Sequence, residues 1–201
     1  MKPAGERRRD ILDAALRLFR ERGFDETTVQ DIAEGAGVAA GTLYLHFRSK
    51  EHLLQAIHEE FERGLEERFG QVGLEVLARK QRGEPVDTRW VCDAMWDAAF
   101  AYNVEQRALL EVTCRYIPRL EAEQARQLDA AHSGFLTELL RRGTELGFIH
   151  AEDPESTGYL LAAVNVSVAR AVAFGDPGLD RLVAQAKEIY YRALAPPAET
   201  S

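Results

Sequence analysis

A short run near the N-terminus brings together groups that are suited to binding phosphate. Thr28, Tyr44, His46 and Lys50 each carry a hydrogen-bond donor, and the lysine adds a positive charge. The four small residues at 39–42 would let a helix backbone approach a groove closely. Helix N-termini also attract phosphate oxygens, because their first backbone N–H groups are unpaired. The combination indicates contact with a nucleic-acid backbone, although each residue alone carries little weight.

The pattern of apolar and turn residues predicts three short helices that position these groups. Apolar residues recur at helical spacing over 11–19, and Gly23 is suited to end that first helix. Thr28 can cap the second helix, and Gly37 can end it in a tight turn. A third helix is expected over about 39–46. The second and third helices would form a helix-turn-helix, which places its second helix in the DNA major groove.

Three segments resemble the DNA-binding domain of the TetR/AcrR family of bacterial transcriptional regulators. They read ILDAALRLFRERGF at 11–24, TTVQDIAEGAGV at 27–38 and GTLYLHFRSKEHLL at 41–54. The resemblance implies that side chains at four positions contact phosphates and that residues 39–42 lie nearest the base edges. The implied DNA-binding residues are Thr28, Ala39, Ala40, Gly41, Thr42, Tyr44, His46 and Lys50.

The chain departs from the family pattern at Ala39 and Ala40, where a serine and then a lysine are common. The serine would cap the third helix, and losing such a cap costs about 0.5–2 kcal/mol. Alanine can contact thymine methyl groups. Base readout is therefore expected to depend on apolar contacts and on DNA shape.

Charge is distributed unevenly along the 201 residues. The net charge is −8, but residues 1–50 carry a net of +1 and the remainder carries −9. The first part can therefore concentrate positive groups on one surface. Lys2 and residues 7–9 form a basic arm, interpreted either as an extra phosphate or minor-groove contact or as a solvated tail.

Several features argue for a cytoplasmic protein that is not an enzyme. The start is charged, and the most apolar run, 159–174, is interrupted by Asn165 and Arg170, so neither a signal peptide nor a membrane span is expected. Cys92 and Cys114 lack metal-ligand spacing and suit a reducing compartment. The histidines show no paired ligand spacing, and no nucleophile-elbow, Walker or dinucleotide motif occurs. Neither a metal nor a cofactor is expected.

The rest of the chain reads as further helices without strand signals, so the expected fold class is all-α. The predicted helices cover about 50–67, 70–82, 88–103, 120–146, 154–174 and 176–194, and a further short helix holds residues 109–114 and is ended by Pro118. With the resemblance, this predicts two domains. Residues 1–50 would be the three-helix helix-turn-helix DNA-binding domain, and residues 51–201 a helical ligand-binding and dimerisation domain.

Aromatic and soft side chains concentrate in one region of the larger part. For each residue taken alone, a place in the core is the better interpretation. The resemblance implies an inducer pocket here, for which acyl-CoA or another lipophilic acid is a candidate ligand. Arg115 could meet the acidic part of such a ligand or could be a solvated helix charge. The candidate ligand-binding residues are Trp90, Met95, Trp96, Phe100, Tyr116 and Arg115.

Two helix stripes suggest self-association. Leu136, Leu140 and Gly143 share a face of one predicted helix, and small residues line the next. The resemblance implies that these two helices pack against their copies as a four-helix interface, and the alternative is that they complete the monomer core. The candidate interface residues are Leu136, Leu140, Gly143, Tyr159, Ala162, Val166 and Arg170.

Together, the residues and the resemblance predict a cytoplasmic, homodimeric transcriptional repressor. It would bind a palindromic operator in double-stranded DNA and be released by a small lipophilic ligand. One alternative is a small-molecule-binding helical protein without sequence-specific DNA function. Another is an architectural DNA-binding protein, which would need neither sequence preference nor an apolar pocket.

Overall fold

The computed structural model describes residues 4–197, and these form nine α-helices and a single 3-10 turn without a strand. The expected all-α class is confirmed. The helices are α1 (Ala4–Glu21), α2 (Val29–Gly35), α3 (Ala40–His46), α4 (Lys50–Gln81), α5 (Thr88–Glu105), α6 (Arg107–Tyr116), α7 (Ala122–Glu145), α8 (Pro154–Phe174) and α9 (Leu179–Leu194).

The first three helices begin and end where local signals place them. Gly23 and Gly37 both adopt positive φ angles, +91° and +67°, after α1 and α2. Thr28 caps α2: its hydroxyl accepts from the Asp31 backbone N–H at 3.1 Å, and the Asp31 carboxylate accepts from the Thr28 N–H at 2.8 Å. This reciprocal arrangement pairs two backbone donors that a helix start otherwise leaves free.

Residues 7–9, the described part of the predicted basic arm, are helical. Residues 7–9 belong to α1, and Arg8 bonds to Glu60 of α4 at 2.7 Å. The same guanidinium lies over the Phe47 ring, 5.4 Å from its centroid. Arg8 thus attaches α1 to α4 instead of reaching freely toward DNA. Lys2 lies outside the described residues.

The prediction of two helices over 50–82 is wrong, because α4 is one helix of 32 residues. Gly70 and Gly73 lie inside it, and a Cβ at either would meet nothing within 4 Å. Phe69 and Val76 continue the buried stripe that includes Leu65. Burial of this stripe outweighs the roughly 1 kcal/mol that each interior glycine costs.

Two other helix starts differ slightly from the sequence prediction. Asp87, not Thr88, caps α5 by accepting from the Trp90 N–H at 2.8 Å, and the Thr88 hydroxyl donates to the Phe148 carbonyl. α9 begins at Leu179, because Asp176 instead forms a turn by accepting from the Gly178 N–H at 2.7 Å.

Buried side chains form two clusters. The larger one runs from α1 through α4 and α6 to α8, so the first three helices are packed onto the rest of the chain. The smaller one joins α5, α7, α8 and α9 around Trp96 and Tyr190, whose rings meet edge to face at 5.1 Å. Cys92 belongs to this second cluster, and burial raises the pKa of its thiol to about 11. The division into domains at residue 50 stays a prediction.

α8 is long and apolar enough to cross a membrane by length and composition alone. A core helix of a soluble protein meets the same criterion, and the sequence analysis did not expect this segment to qualify. Here α8 contributes Leu161, Val168 and Val172 to the two core clusters.

Candidate DNA-binding face and internal cavity

α3 presents one exposed face and one anchored face. Leu43, with no exposed surface, and Phe47 at 1% exposure fix the helix to the core. On the other side, Tyr44 is 56% exposed and Leu45 is 85% exposed. A Cβ at Gly41 would meet nothing within 4 Å, so the backbone here is open to a close approach. The sequence analysis missed Leu45, although its place between Tyr44 and His46, off the buried stripe, was a usable signal.

The four predicted phosphate-contacting groups differ in their exposure and in the hydrogen bonds that they already make within the protein. Tyr44 is exposed and His46 is half-buried. The Thr28 hydroxyl is already bonded within the α2 cap. The Lys50 ammonium donates to the carbonyls of Phe24 and Asp25 at 2.8 and 3.2 Å and lies over the Phe24 ring. Lys50 therefore links the start of α4 to the α1–α2 loop, a structural role that does not depend on DNA.

Ala39 is the N-cap of α3 and makes no side-chain cap bond. We expect Ala39→Ser to raise the free energy of unfolding by about 1 kcal/mol, because its hydroxyl can accept from an unpaired backbone N–H of the first turn. Urea denaturation followed by circular dichroism measures this. Ala40→Ser, one residue into the helix, is the matched control and should give no gain, so an equal gain at both positions would contradict the capping argument.

The first three helices are joined to the rest of the chain through contacts of α1 and the α1–α2 loop with α6 and the turn after it. Arg20 of α1 pairs with Glu111 of α6 at 3.2 Å, and the Phe24 ring lies 5.5 Å from that of Tyr116. Asp25 also meets Arg119 at 3.2 Å. The opposite side of α6 faces an internal cavity, so α6 lies between that cavity and α1.

The cavity has a volume of about 360 Å³ and is bordered by α4, α5, α6, α7 and α8. Most of its surface is apolar, with Phe61 and Leu65 of α4 facing Leu110 of α6 and Leu128 of α7. A volume and lining of this kind are typical of sites for small organic ligands.

Of the six predicted ligand-binding residues, only Trp96 lines this cavity. The other aromatic side chains fill space elsewhere. Trp90 lies under the Arg79 guanidinium at 4.5 Å, and Tyr116 packs on Phe24. Met95 and Phe100 pack against the core clusters, and Arg115 is exposed beside Phe174. These five residues lie in the core or at the surface and do not line this cavity, and their part in ligand binding stays a prediction.

Three ionisable side chains and one indole form a polar wall in the cavity, made of His58, Glu62, Trp96 and His132. His132 Nδ1 lies 2.7 Å from one Glu62 oxygen, and His58 Nε2 lies 3.6 Å from the other. All three of these side chains are less than 20% exposed. The sequence analysis missed this group, although the four-residue spacing of His58 and Glu62 on α4 was a signal.

The polar wall leaves three nitrogen atoms without a partner inside the protein. They are His58 Nδ1, His132 Nε2 and Trp96 Nε1, and each is fully buried. Burying an unpaired donor or acceptor costs about 1–3 kcal/mol. Three such atoms around one cavity therefore point to a bound molecule or water that pairs with them.

The two histidines respond to this environment in opposite directions. Burial alone lowers the pKa of His132, but the hydrogen bond and charge of Glu62, with a smaller effect of Asp129, raise it above its ordinary 6.5. Burial lowers the pKa of His58 by more than Glu62 raises it, and His132 adds to the lowering.

We expect the destabilisation caused by His132→Gln to be largest below pH 6 and to shrink as the pH rises through neutrality. A raised folded-state pKa contributes stability that is fully present below the unfolded value of about 6.5 and is lost as the pH passes the folded value. Urea unfolding of both proteins at pH 5.5 and pH 8.5 measures the difference. A difference that grows with pH would contradict the sign.

The predicted dimer residues fall into two groups. Leu136, Leu140 and Ala162 are buried within the chain, at 3%, 4% and 7% exposure, so they are corrected to core residues. Gly143 packs against Ile149, which a Cβ would approach to 2.8 Å.

The remaining three residues lie on an exposed face of α8. Tyr159 is 65% exposed, Val166 is 47% exposed, and Arg170 is also exposed. Leu160 and Phe174 extend this surface, which we call the α8 face and which comprises Tyr159, Leu160, Ala163, Val166, Ser167, Arg170 and Phe174. Four of its members, Tyr159, Ala163, Val166 and Arg170, also border the cavity.

Within residues 4–197, no group of three or more His, Cys, Asp or Glu side chains is arranged to hold a metal ion.

Comparison with known proteins places the first helices in a known family. Residues 11–57 match the model for bacterial regulatory proteins of the tetR family. The transcriptional repressor KstR2 from Rhodococcus jostii is 48% identical over 64 residues, which are 32% of this chain and 30% of KstR2. The chain thus matches about a third of the length of this curated relative.

Solved structures extend the likeness over nearly the whole chain. The fatty acid degradation regulator FadR from Bacillus halodurans is 25% identical with a TM-score of 0.69, covering 94% of this chain and 97% of that one. FadR from Bacillus subtilis, solved with stearoyl-CoA, is 20% identical, also with a TM-score of 0.69, and covers 92% and 98%. The family match and these shared folds agree with the motifs: residues 11–57 carry the sequence of the tetR family of bacterial regulatory proteins, and nearly the whole chain has the fold of these solved regulators.

Proposed function

We propose that this protein is a sequence-specific transcriptional repressor that a small lipophilic ligand releases from DNA. The observation that carries the proposal is the anchored α3, whose exposed Tyr44 and Leu45 stand out beside an open backbone at Gly41. An exposed leucine on a short helix is suited to contacting thymine methyl groups in the major groove. The protein acts in the cytoplasm and is not an enzyme.

The DNA-contacting residues proposed from the sequence are kept, with Leu45 added. Tyr44 and His46 donate to phosphates, and residues 39–42 approach the base edges. Without the common serine and lysine at 39 and 40, readout depends on apolar contact and on groove shape.

We propose that the α8 face pairs with its copy to form a homodimer. A two-fold dimer presents two α3 helices to a palindromic operator, one to each half-site. Large exposed apolar side chains such as Tyr159, Leu160 and Phe174 support this, because such surfaces mark interaction sites. Sedimentation equilibrium tests it: Val166→Arg should yield monomers, and a variant that stays dimeric would place the interface elsewhere.

The inducer is proposed to occupy the cavity, with acyl-CoA compounds and other lipophilic acids as the first classes to test. Stearoyl-CoA in the FadR structure from Bacillus subtilis supports this choice. Both α4 and α6 border the cavity and also touch the first three helices, so they can transmit a change in spacing between the two α3 helices. By linkage, DNA then weakens ligand binding by the factor by which ligand weakens DNA binding.

Selection of random duplexes on the purified protein at physiological salt tests the function. We expect a two-fold symmetric consensus, with weaker binding by Tyr44→Phe because one phosphate donor is lost. Tyr191→Phe, which removes a hydroxyl far along the chain on α9, is the control. Failure to enrich any sequence, or full activity of Tyr44→Phe, would favour a ligand-binding protein without sequence-specific DNA function.

A further inference from the structure

The polar wall restricts the chemistry of any ligand in the cavity. The Trp96 indole nitrogen can only donate, and it is buried without an acceptor. His132 uses Nδ1 toward Glu62, which leaves Nε2 facing no protein partner. Both residues are more than nine-tenths buried. The molecule that completes this wall must therefore bring at least one hydrogen-bond acceptor.

The charges around the wall argue against an anionic acceptor. Glu62 already carries the carboxylate nearest to His132, and Asp129 of α7 borders the same cavity. Apart from the histidines, the cationic side chain among the cavity-lining residues is that of Arg170 on α8. It is exposed to solvent. A carboxylate against this wall would lie beside Glu62 without a free buried cation, which is costly.

We propose that the cavity binds a small apolar molecule through an uncharged carbonyl group, whose oxygen accepts a hydrogen bond from the unpaired Trp96 indole N–H of the polar wall. This deepens the proposed function and rests on it only for the regulatory meaning of binding. Ketones, esters, amides and acyl thioesters meet the condition, whereas free carboxylates do not. Of the two inducer classes proposed above, this keeps the acyl-CoA thioesters and removes the free lipophilic acids. The raised pKa of His132 supports the assignment, because protonation makes Nε2 a donor.

Other charged groups near His132 do not change this assignment. From α4, His58, Glu59 and Glu62 surround the wall, and from α7 Asp129 adds a negative charge. From α6, Cys114 borders the cavity with a pKa that burial raises, so its thiol stays neutral.

The test uses three probes of similar length: 2-nonanone, octanoate and nonane. Trp90→Phe leaves Trp96 as the single tryptophan, and Trp90 lies outside the cavity under Arg79. Fluorescence of this variant at pH 7, without DNA, reports binding at the wall. We expect 2-nonanone to bind at least about 10-fold tighter than either octanoate or nonane, a difference of about 1.4 kcal/mol.

Glu62→Gln, made in the Trp90→Phe variant, separates the effect of the Glu62 charge from the effect of probe shape. It keeps a hydrogen-bond acceptor for His132 and removes the negative charge. We expect octanoate to gain about 10-fold in affinity, while 2-nonanone changes by less than about 3-fold. Glu66→Gln, an exposed position on the same helix outside the cavity and outside the charges acting on the two histidines, should change neither.

Four results would overturn the proposal. They are octanoate binding as tightly as 2-nonanone, nonane binding equally well, no binding of any probe, and a preference unchanged by Glu62→Gln. Because the measurement contains no DNA, these results leave the proposed DNA function standing. Equally, failure of the duplex selection would not affect the proposal that the cavity binds an uncharged carbonyl compound.

Discussion

Leu45→Glu is expected to weaken binding to the selected duplex about 100-fold at fixed salt. Leu45 is 85% exposed on α3. The substitution replaces a side chain that we propose contacts thymine methyl groups by a carboxylate, which DNA phosphates repel. Losing a base contact costs about 1–3 kcal/mol, and repulsion adds to it, which together give roughly the stated factor. The free energy of unfolding should change by less than about 0.5 kcal/mol, as at other exposed positions.

Leu74→Glu is the matched control for this prediction. Leu74 is 69% exposed on α4, so the same change of charge is made at a similarly exposed leucine away from α3. Fluorescence anisotropy with a labelled duplex measures both variants. Equal losses would mean that net charge alone weakens binding, and no loss in Leu45→Glu would remove the α3 face from the interface.

Gly158→Ala is expected to lower the free energy of unfolding by about 1–3 kcal/mol, the usual range for overpacking. A Cβ at position 158 would lie 2.6 Å from the Thr137 hydroxyl, 3.0 Å from its backbone nitrogen and 3.1 Å from its Cα. Because two of these atoms are backbone, a side-chain rotation cannot relieve the contact, and α7 and α8 must move apart. The loss exceeds the gain of about 1 kcal/mol that alanine brings to a helix.

Gly134→Ala gives the control on α7. A Cβ there meets nothing within 4 Å, so the same exchange should stabilise the protein by up to about 1 kcal/mol. Urea denaturation of the two variants tests the pair. Stabilisation by both would show that α7 and α8 have room at their crossing.

Local signals in the sequence were sufficient to predict where the first three helices begin and end. Thr28 and Gly37 act within a few residues of their own position, so the start and end of α2 depend on little else. The same holds for Asp153 at the start of α8 and for Gly175 at its end. The anchoring of α3 by Leu43 and Phe47 also follows from spacing alone.

The cavity could not be predicted in this way. Its polar wall joins His58 and Glu62 to His132, 70 residues away from Glu62 in the sequence, and no local pattern brings them together. Aromatic content suggested Trp90 and Tyr116 instead, but large rings are buried by packing wherever helices meet. In the same way, Leu136 and Leu140 mark a helix face without showing whether its neighbour is α8 or a second copy.

Tyr159, Val166 and Arg170 stand at the edge of the cavity and on the α8 face at once. In the proposed dimer, the same side chains thus contact the ligand and the second copy, so selection acts on them for both ligand binding and dimerisation. A mutation here that admits a new ligand also alters pairing between copies, so lineages that change specificity must acquire compensating changes on the same helix. Deeper positions such as Leu110 and Leu128 are free of this double demand. Ligand preference is therefore expected to diversify at buried cavity positions such as these before it does so on the α8 face.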